Sequence, residues 1–414
     1  MEQSYRGMKT SQKLLLLLTG INLVNYLDRY VVAAVLEPLG QELHLTDAQL
    51  GRLTFVFIVV YMLSAPLFGY LADRCKRPRL VAAGVGLWSL ATMGAGFIHS
   101  YPMLLLTRSL VGVGEAAYAS LGPAMLSDVF PEQERAKKFT WFYLAIPLGS
   151  ALGYGLGGLV AGAWGWRAAF LVAGLPGLGL ALWMAWQVDP ERGAMDTRPD
   201  AAAGQSLVTR ARLLFSNRIW LACTASYVAY TFAMGGLSTW GPTLLQRKFV
   251  VSTAQAGVVF GGLAVVTGIV GTFLGGNLTD RWQRRWPNAG VWIAGLTLLA
   301  AAPVVAWALQ TQHLGTAYVL FFMGMLLLFI NTSPVNVLTV SCLPASMRAT
   351  GTAMNVLLIH LLGDAISPEW VGRRADALGS SGEALATALQ VVLPAICISG
   401  AALWFAQVRR VENP

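Results

Sequence analysis

Three ionisable side chains lie deep inside apolar stretches of the first half of the sequence: Asp28, Arg108 and Glu115. A charge at the middle of a bilayer costs about 2.5–3.5 kcal/mol on insertion scales, so such residues usually face a cavity and have partners. Arg108 and Glu115 are seven residues apart, which puts them on one helix face with Gly112 leaving space between them. We predict that this trio couples protons or binds substrate, with Asp28, substrate or water bridging the other two. The alternative is a static ion-pair network that orients two helices.

The physical case for coupling is thermodynamic linkage. If Arg108 moves relative to Glu115 or Asp28 during a transport cycle, the proton affinity of these carboxylates differs between states. One pKa unit is about 1.4 kcal/mol. This is comparable with about 2.3 kcal/mol per charge for 100 mV across a membrane. Small movements would therefore suffice.

Other polar and aromatic residues within apolar runs are predicted to line a substrate cavity. Arg29 could bind an anionic head group or cap a neighbouring helix. His360 and Asp364 are four residues apart and could interact, although His360 could equally be a packing residue. The sequence Asn331-Thr-Ser-Pro334 interrupts an apolar run, and such breaks line sites or are structural kinks. The predicted substrate-binding residues are Asn25, Arg29, Tyr143, Tyr227, Tyr230, Asn331, Asn355, His360 and Asp364.

The elements that must position these residues are long apolar segments. Of the 414 residues, 56% are hydrophobic and only 12% are charged, against about 25% charged in a soluble domain. Runs of about 20 apolar residues, each long enough to span a bilayer, follow one another with short charged joints. The runs cover 14–36, 50–71, 79–98, 102–130, 139–162, 166–188, 219–246, 254–278, 289–310, 315–343, 350–371 and 384–408. We therefore predict twelve membrane-spanning helices and no substantial soluble domain.

The distribution of basic residues predicts the orientation. Counted by side of the membrane, 21 Lys and Arg fall on one side and 6 on the other, which places both termini in the cytoplasm. The first apolar run continues past Asp28 without a cleavage site, so it is predicted to be a retained helix. The polar interval 189–218 is predicted to be a cytoplasmic linker between helical bundles at 1–188 and 219–414. These features favour a bacterial inner membrane, with an organellar membrane as the alternative.

An internal repeat supports the division into two halves. The sequence Gly69-Tyr-Leu-Ala-Asp-Arg74 recurs as Gly276-Asn-Leu-Thr-Asp-Arg281, at an offset of 207 residues. The sequence Pro131-x-x-x-Arg135-Ala recurs as Pro344-x-x-x-Arg348-Ala, at an offset of 213 residues. Both copies fall at the matching joint of each half and on the same predicted side. The repeat is therefore parallel, with an axis along the membrane normal.

The sequence G-x-L-x-D-R followed by basic residues resembles the signature of the major facilitator superfamily, and this resemblance spans the whole chain. Cys75 stands where the superfamily usually has a glycine after the arginine. Within the superfamily, the chain resembles the Spinster family of lysolipid and sphingolipid transporters. Organic anion:proton symporters share the first two of the segments that carry this resemblance, and the last one favours Spinster. The segments are NYLDRY at 25–30, RSLVGVGEA at 108–116, AIPLGS at 145–150 and HLLGDAISP at 360–368.

The resemblance implies an all-α fold of two six-helix halves related by a pseudo-two-fold axis. It implies a proton-coupled secondary transporter that moves a lysophospholipid or sphingoid-type lipid by alternating access. A cytoplasmic gate that latches the halves is also implied, although its charges could serve only turns and topology. The implied gate residues are Asp73, Arg74, Asp128, Arg135, Asp280, Arg281 and Arg348.

Other functions remain open alternatives. A proton symporter of small organic anions would use Arg29 and Arg108 as carboxylate clamps, and a drug or metabolite exporter of the same superfamily is also possible. A receptor or scaffold that does not transport would not need buried charges. The sequence contains no phosphate-binding loop and no metal-ligand spacing among its 4 His and 4 Cys, so we expect no enzyme activity, cofactor or metal. We expect a monomer that contacts the bilayer, its substrate and protons, and not nucleic acid.

Overall fold

A computed structural model of the chain describes residues 2–195, 207–286, 288–344 and 347–408, and its regular secondary structure is helical throughout this part. The helices are α1 (Glu2–Glu42), α2 (Asp47–Ala72), α3 (Arg77–Ala95), α4 (Tyr101–Val129), α5 (Glu132–Trp164), α6 (Trp166–Ala185), α7 (Leu207–Ser216), α8 (Arg218–Phe249), α9 (Thr253–Gln283), α10 (Ala289–Gln310), α11 (Leu314–Ile330), α12 (Thr332–Ser341), α13 (Arg348–Ile359), α14 (Ile366–Ala377), α15 (Gly382–Leu389) and α16 (Val392–Val408).

Each of the twelve predicted spans corresponds to one helix or to one interrupted helix, and α7 lies in the predicted linker. Within the part of the chain that the structure describes, seven segments are apolar and long enough to cross a membrane by length and composition alone: Asp47–Ala72, Glu132–Trp164, Trp166–Ala185, Thr253–Gln283, Ala289–Gln310, Leu314–Ser341 and Gly382–Trp404. The other predicted spans are α1, α3, α4, α8 and the pair α13–α14. Of these, α1 and α4 carry the charges of the predicted site, which lower their hydropathy, and α13 and α14 are short pieces of one broken helix.

Three spans of the second half are interrupted, and two of these breaks contain predicted site residues. Helix α11 ends at Ile330 and α12 begins at Thr332, so the break falls at the predicted Asn331-Thr-Ser-Pro sequence. Pro334 lies in the first turn of α12, where a missing amide N–H costs no helical hydrogen bond. Between α13 and α14 the chain forms a π-helical turn at His360–Asp364, which the sequence did not predict. Single π turns inside α-helices often occur at functional positions.

The residue contacts divide the chain into two compact units. The first unit comprises Met1–Leu45, Val56–Pro199 and Ser252–Gly261, and the second comprises the rest, including Thr46–Phe55. A short segment at the start of α2 is therefore packed within the second unit, and one at the start of α9 within the first. The predicted limits of the two halves stay a prediction, because this grouping follows packing and not chain order.

In the first unit, glycines of α5 let α1 approach closely. A Cβ atom added at Gly149 or Gly153 would lie 2.4 or 2.5 Å from the carbonyl oxygen of Leu23 or Leu27. Contacts this short show that the two backbones touch, which small residues at four-residue spacing permit. The start of α9 packs similarly, since a Cβ atom at Gly257 would lie 2.4 Å from the carbonyl oxygen of Tyr154.

Within the second unit, hydrogen bonds and ion pairs hold the start of α2 against α8 and α14. Asp47 accepts two hydrogen bonds from the guanidinium of Arg247, at 2.8 and 2.9 Å. The carboxylate of Asp376 accepts from the backbone amides of Asp47 and Ala48, and so caps the α2 N-terminus. A Cβ atom at Gly51 would lie 2.3 Å from the carbonyl oxygen of Pro368, so packing here is as close as in the first unit.

Candidate functional site

The charged side chains within the apolar stretches of α1 and α4 form one group in the first unit. They are Asp28, Arg29, Arg108 and Glu115. Arg29 Nε donates to Glu115 Oε2 at 2.6 Å, and the side chain of Glu115 is 0% exposed. The sequence predicted Asp28, substrate or water as the bridge between Glu115 and Arg108, and it did not predict this ion pair. Successive residues of a helix point about 100° apart, so Arg29 and Asp28 lie on different faces of α1. The face of Arg29 is the one that meets Glu115.

Asp28 and Arg108 complete the group and are incompletely paired. Asp28 Oδ2 accepts from the Thr92 hydroxyl of α3 at 2.5 Å, while Asp28 Oδ1 and Glu115 Oε1 are buried with no partner among the described residues. Arg108 is 3% exposed. Its Nε and Nη2 atoms likewise have no hydrogen-bond partner in the described part of the chain, and its guanidinium lies 5.8 Å from the ring centroid of Phe170. Buried polar atoms are nearly always satisfied. A proton, a substrate or water would supply the missing partners of these atoms.

Aromatic rings surround Arg29. Its guanidinium carbon lies 4.9 Å from the ring centroid of Tyr61 and 5.2 Å from those of Tyr26 and Phe57. Cation–π contacts of this kind stabilise a guanidinium that has left water. Sequence reasoning missed these rings and Thr92, although a threonine within an apolar helix was a signal that could have indicated Thr92.

Asn25 and Gly112 have roles that the sequence described in part. Asn25 is 3% exposed and faces the Glu115 carboxylate, which agrees with a position in the predicted site. The space that Gly112 was expected to leave between the two charges is filled by backbone. A Cβ atom there would lie 2.6 Å from the carbonyl oxygen of Phe57, so this glycine lets α2 pack against α4.

The predicted substrate residues of the second unit are mostly neutral and partly satisfied. Asn331 is 1% exposed and Asn355 is 5% exposed, and each has an Oδ1 atom without a partner among the described residues. The Tyr227 hydroxyl accepts from Asn336 Nδ2 at 3.3 Å, and its ring lies 5.6 Å from that of Tyr230. The predicted substrate residues named here are therefore neutral amides and aromatic rings.

His360 and Asp364 interact as their spacing suggested. His360 Nδ1 lies 2.9 and 3.1 Å from the two carboxylate oxygens of Asp364, and both side chains are about a quarter exposed. The π turn contains both residues, and it alters the helical phase between α13 and α14. Tyr143 stands apart from both groups. It is 48% exposed, and its nearest rings are those of Phe139 and Phe142.

The predicted gate residues of the first unit are engaged inside that unit. Asp128 accepts from Arg77 Nη1 at 2.5 Å, and Arg77 also donates to Asp189 and to the carbonyl oxygen of Pro190. Burial disfavours the charge of Arg77, but the hydrogen bonds to the two carboxylates outweigh it and raise the pKa of Arg77 above its ordinary value. Arg77 was not predicted as a site residue, and it is the centre of this cluster.

The remaining gate residues lie at exposed joints. Asp73 is 3.4 Å from Arg192, and Arg74 stacks 3.6 Å from the ring centroid of Tyr70. Asp280 and Arg281 are exposed.

The second repeated motif is geometrically alike in the two halves. Arg135 Nε donates to the carbonyl oxygen of Phe130 at 3.0 Å, and Arg348 Nε donates to that of Leu343 at 3.3 Å. Each arginine thus reaches back five residues across the proline that follows the helix. The 213-residue offset is therefore a structural correspondence as well as a sequence match.

Comparison with known proteins identifies relatives along nearly the whole chain. The model of the Major Facilitator Superfamily matches residues 18–368. Protein spinster homolog 1 of Xenopus tropicalis is 33% identical over 395 residues, covering 90% of this chain and 74% of the frog protein. Protein spinster homolog 1 of Homo sapiens is 35% identical over 382 residues, covering 86% of this chain and 72% of the human protein.

Solved structures share the fold. A bacterial homolog to the human lysosomal transporter Spinster, in an inward-facing and occupied conformation, matches with a TM-score of 0.85 and 23% identity, covering 97% of this chain and 98% of that chain. A D-xylose–proton symporter matches with a TM-score of 0.76 and 17% identity, covering 95% of this chain and 96% of that chain. The predicted all-α fold with twelve spans in two related halves is confirmed.

Proposed function

Because the chain belongs to the Spinster family of the major facilitator superfamily, and is therefore a transporter and not an enzyme, we propose that it is proton-coupled. We propose that it moves a lysophospholipid or sphingoid-type amphipathic lipid by alternating access. The observation that carries the proposal is the buried, incompletely paired group of Asp28, Arg29, Arg108 and Glu115. Leaving a polar atom unpaired costs more on a buried charged side chain than on a neutral one, so the unpaired atoms of Asp28, Arg108 and Glu115 favour a partner from outside the chain.

Glu115 is the residue on which a proton would have the largest effect. Its ionised carboxylate holds Arg29 at 2.6 Å. Protonation removes the negative charge and weakens this ion pair, so the guanidinium of Arg29 can bind the phosphate or carboxylate of a substrate head group. Loss of the proton restores the pair and expels the head group. Proton binding and substrate binding are thereby linked through one guanidinium.

Arg108 is the second candidate for head-group binding. It is more deeply buried than Arg29, and two of its donors have no partner among the described residues. Asp28, already held by Thr92, supplies the compensating negative charge. The amides and aromatic rings of the second unit, including Asn331, Asn355 and Tyr230, suit the uncharged remainder of an amphipathic molecule.

The finer assignments follow from the sequence. We assign the protein to the bacterial inner membrane, with cytoplasmic termini. The exposed charges Asp73, Asp280 and Arg281 and the repeated Arg135 and Arg348 are assigned to a cytoplasmic gate. In the first unit this gate would exchange partners with the cluster around Arg77.

The substrate class is tested with purified protein in liposomes and a homologous series of ligands from about two to eighteen carbons. Each buried CH₂ contributes about 0.8 kcal/mol, so affinity for a lipid substrate should rise with chain length until the cavity is filled. Arg108→Ala should weaken head-group binding at every chain length, and Arg108→Lys should weaken it less. A symporter of small organic anions would give the opposite series. Affinity that stays flat or falls with length would exclude the lipid assignment.

A further inference from the structure

The joint between α9 and α10 carries three arginines and two tryptophans within six positions. Arg281, Trp282, Arg284, Arg285 and Trp286 line a cavity of about 310 Å³, which we call the Arg/Trp pocket. All five residues are exposed, and the two indole rings meet edge to face with centroids 5.2 Å apart. The backbone amides of Arg285 and Trp286 donate to the carbonyl oxygen of Trp282, so a hydrogen-bonded turn fixes the arrangement.

The pocket is cationic and not internally neutralised. None of its three guanidinium groups forms an ion pair or hydrogen bond with a residue that the structure describes. Asp280, the adjacent acid in the sequence, is exposed and is not paired with them in that part of the chain. Three positive charges therefore surround one small cavity.

The internal repeat shows how unusual this is. At the 207-residue offset, Arg284 corresponds to Arg77, whose guanidinium is held by Asp128 and Asp189. At the 213-residue offset, the position of Asp128 is occupied by Ser341. The second copy of the joint has thus kept the arginine and has a serine in place of one of its two acidic partners. An anion from outside the chain can take the place of that carboxylate.

We propose that the Arg/Trp pocket binds the phosphate group of an anionic phospholipid in the leaflet next to this joint. The planar guanidinium groups bind phosphate oxygens in bidentate fashion. The pocket lies at the C-terminal end of α9, and α9 is apolar enough to span the membrane. The pocket is therefore placed at the level of the lipid head groups. Tryptophan favours this interfacial depth, and basic clusters at helix ends bind anionic head groups. This site is separate from the buried group on α1 and α4, and does not depend on the transported substrate.

The test is a lipid titration of delipidated full-length protein, followed by native mass spectrometry. The probes are phosphatidylglycerol, phosphatidylcholine and inorganic phosphate. The wild-type protein should bind one phosphatidylglycerol more tightly than phosphatidylcholine. The double variant Arg284→Gln/Arg285→Gln should bind phosphatidylglycerol roughly thirtyfold more weakly, from the loss of two guanidinium contacts. Arg284→Lys/Arg285→Lys should bind with an affinity between those of the wild type and the Gln variant, because it keeps both charges but loses the bidentate geometry.

A charge-matched control removes two exposed cations from the same predicted side of the other half, as Lys76→Gln/Lys137→Gln. This variant should bind phosphatidylglycerol within about twofold of the wild type, since it leaves the pocket intact. An equal loss of affinity in the control would show that binding reflects total surface charge, and would overturn the proposal. Inorganic phosphate that binds as tightly as phosphatidylglycerol would likewise overturn the assignment to a lipid.

Discussion

The two units both bury charged side chains, but they treat them differently. In the second unit, the buried carboxylates of Asp47 and Glu369 lie near helix ends. Arg247 donates to both oxygens of Asp47, and Arg52 and Arg373 both donate to Oε1 of Glu369. In the first unit, Glu115 and Asp28 lie in the middle of long helices, and each leaves one carboxylate oxygen without a partner among the described residues. Under the proposed function, pairing, more than burial, distinguishes a charge that holds helices together from one that exchanges a proton or binds a ligand.

The difference suggests a division of labour within a duplicated fold. The first unit concentrates ionisable groups at the centre of its helices. Apart from Asp47 and Glu369, the buried polar side chains described in the second unit are amides and hydroxyls. Substitutions at contrasting positions should therefore have different effects.

The largest expected effect is on transport driven by a proton gradient. Glu115→Gln should reduce accumulation in liposomes to the level of empty liposomes, because a neutral amide cannot exchange a proton, and Asp28→Asn should do the same. Asn355→Ala, a buried polar change in the second unit, should alter apparent affinity and leave accumulation possible. Accumulation by Glu115→Gln against a gradient would place coupling elsewhere.

The two copies of the repeated joint should differ in stability. Arg77→Ala should destabilise the protein by roughly 3 kcal/mol, because it leaves two carboxylates without their buried cation. Arg284→Ala, at the corresponding position, should leave the melting temperature in zwitterionic detergent unchanged. Thermal unfolding followed by tryptophan fluorescence compares the two. Equal melting temperatures for the two variants would remove the structural contrast between the joints.

A smaller effect is expected at the crossing of α1 and α5. Gly153→Ala should cost about 1–3 kcal/mol, as overpacking of a close contact usually does. Gly155 lies on the same helix with nothing within 4 Å of an added Cβ atom, so Gly155→Ala should be neutral or slightly stabilising. The measurement is again the melting temperature, and an equal loss at both positions would contradict the assignment of the effect to the crossing.

The smallest expected effect is at the predicted outer end of the first unit. Arg167 and Trp166 donate to Glu42, and mainly the hydrogen bond from Arg167 lowers the pKa of that carboxyl below its usual 4.5. A lowered pKa means that the stabilisation is present above pH 4.5 and is lost as the pH falls below it. Because the side chain is half exposed, Glu42→Gln should cost about 0.2–1 kcal/mol at pH 7. A wild-type advantage that persists at pH 3 would contradict this assignment.

Much of the fold could be predicted from the sequence, because membrane helices are set by long apolar runs and basic joints. The number of spans, the family and the break at Asn331 were all predicted correctly. The π turn at His360–Asp364 was not, because a single inserted residue leaves no mark on hydropathy. Confirmation of the repeat required the carbonyl contacts of Arg135 and Arg348.

The sequence identified the charged residues of the candidate site, but it did not predict which of them contact each other. Helical spacing gives the direction of a side chain around its own helix, and it does not say which neighbouring helix lies in that direction. Arg29 therefore could not be matched to Glu115, nor Asp28 to Thr92. Arg77 was missed for a similar reason, since it looked like one more basic residue of a cytoplasmic joint until Asp128 and Asp189 were found beside it.

The exchange of short segments between the units has a consequence for biosynthesis. The first unit contains residues 252–261, so its packing is incomplete until the ribosome has synthesised more than half of the chain. The start of α2, synthesised early, must in turn wait for Glu369 and Asp376 before its ion pair and helix cap can form. For most of translation, the nascent chain therefore contains membrane helices that lack some of their packing partners. Final assembly is a late event, and fragments ending before residue 252 should be more easily degraded than longer ones.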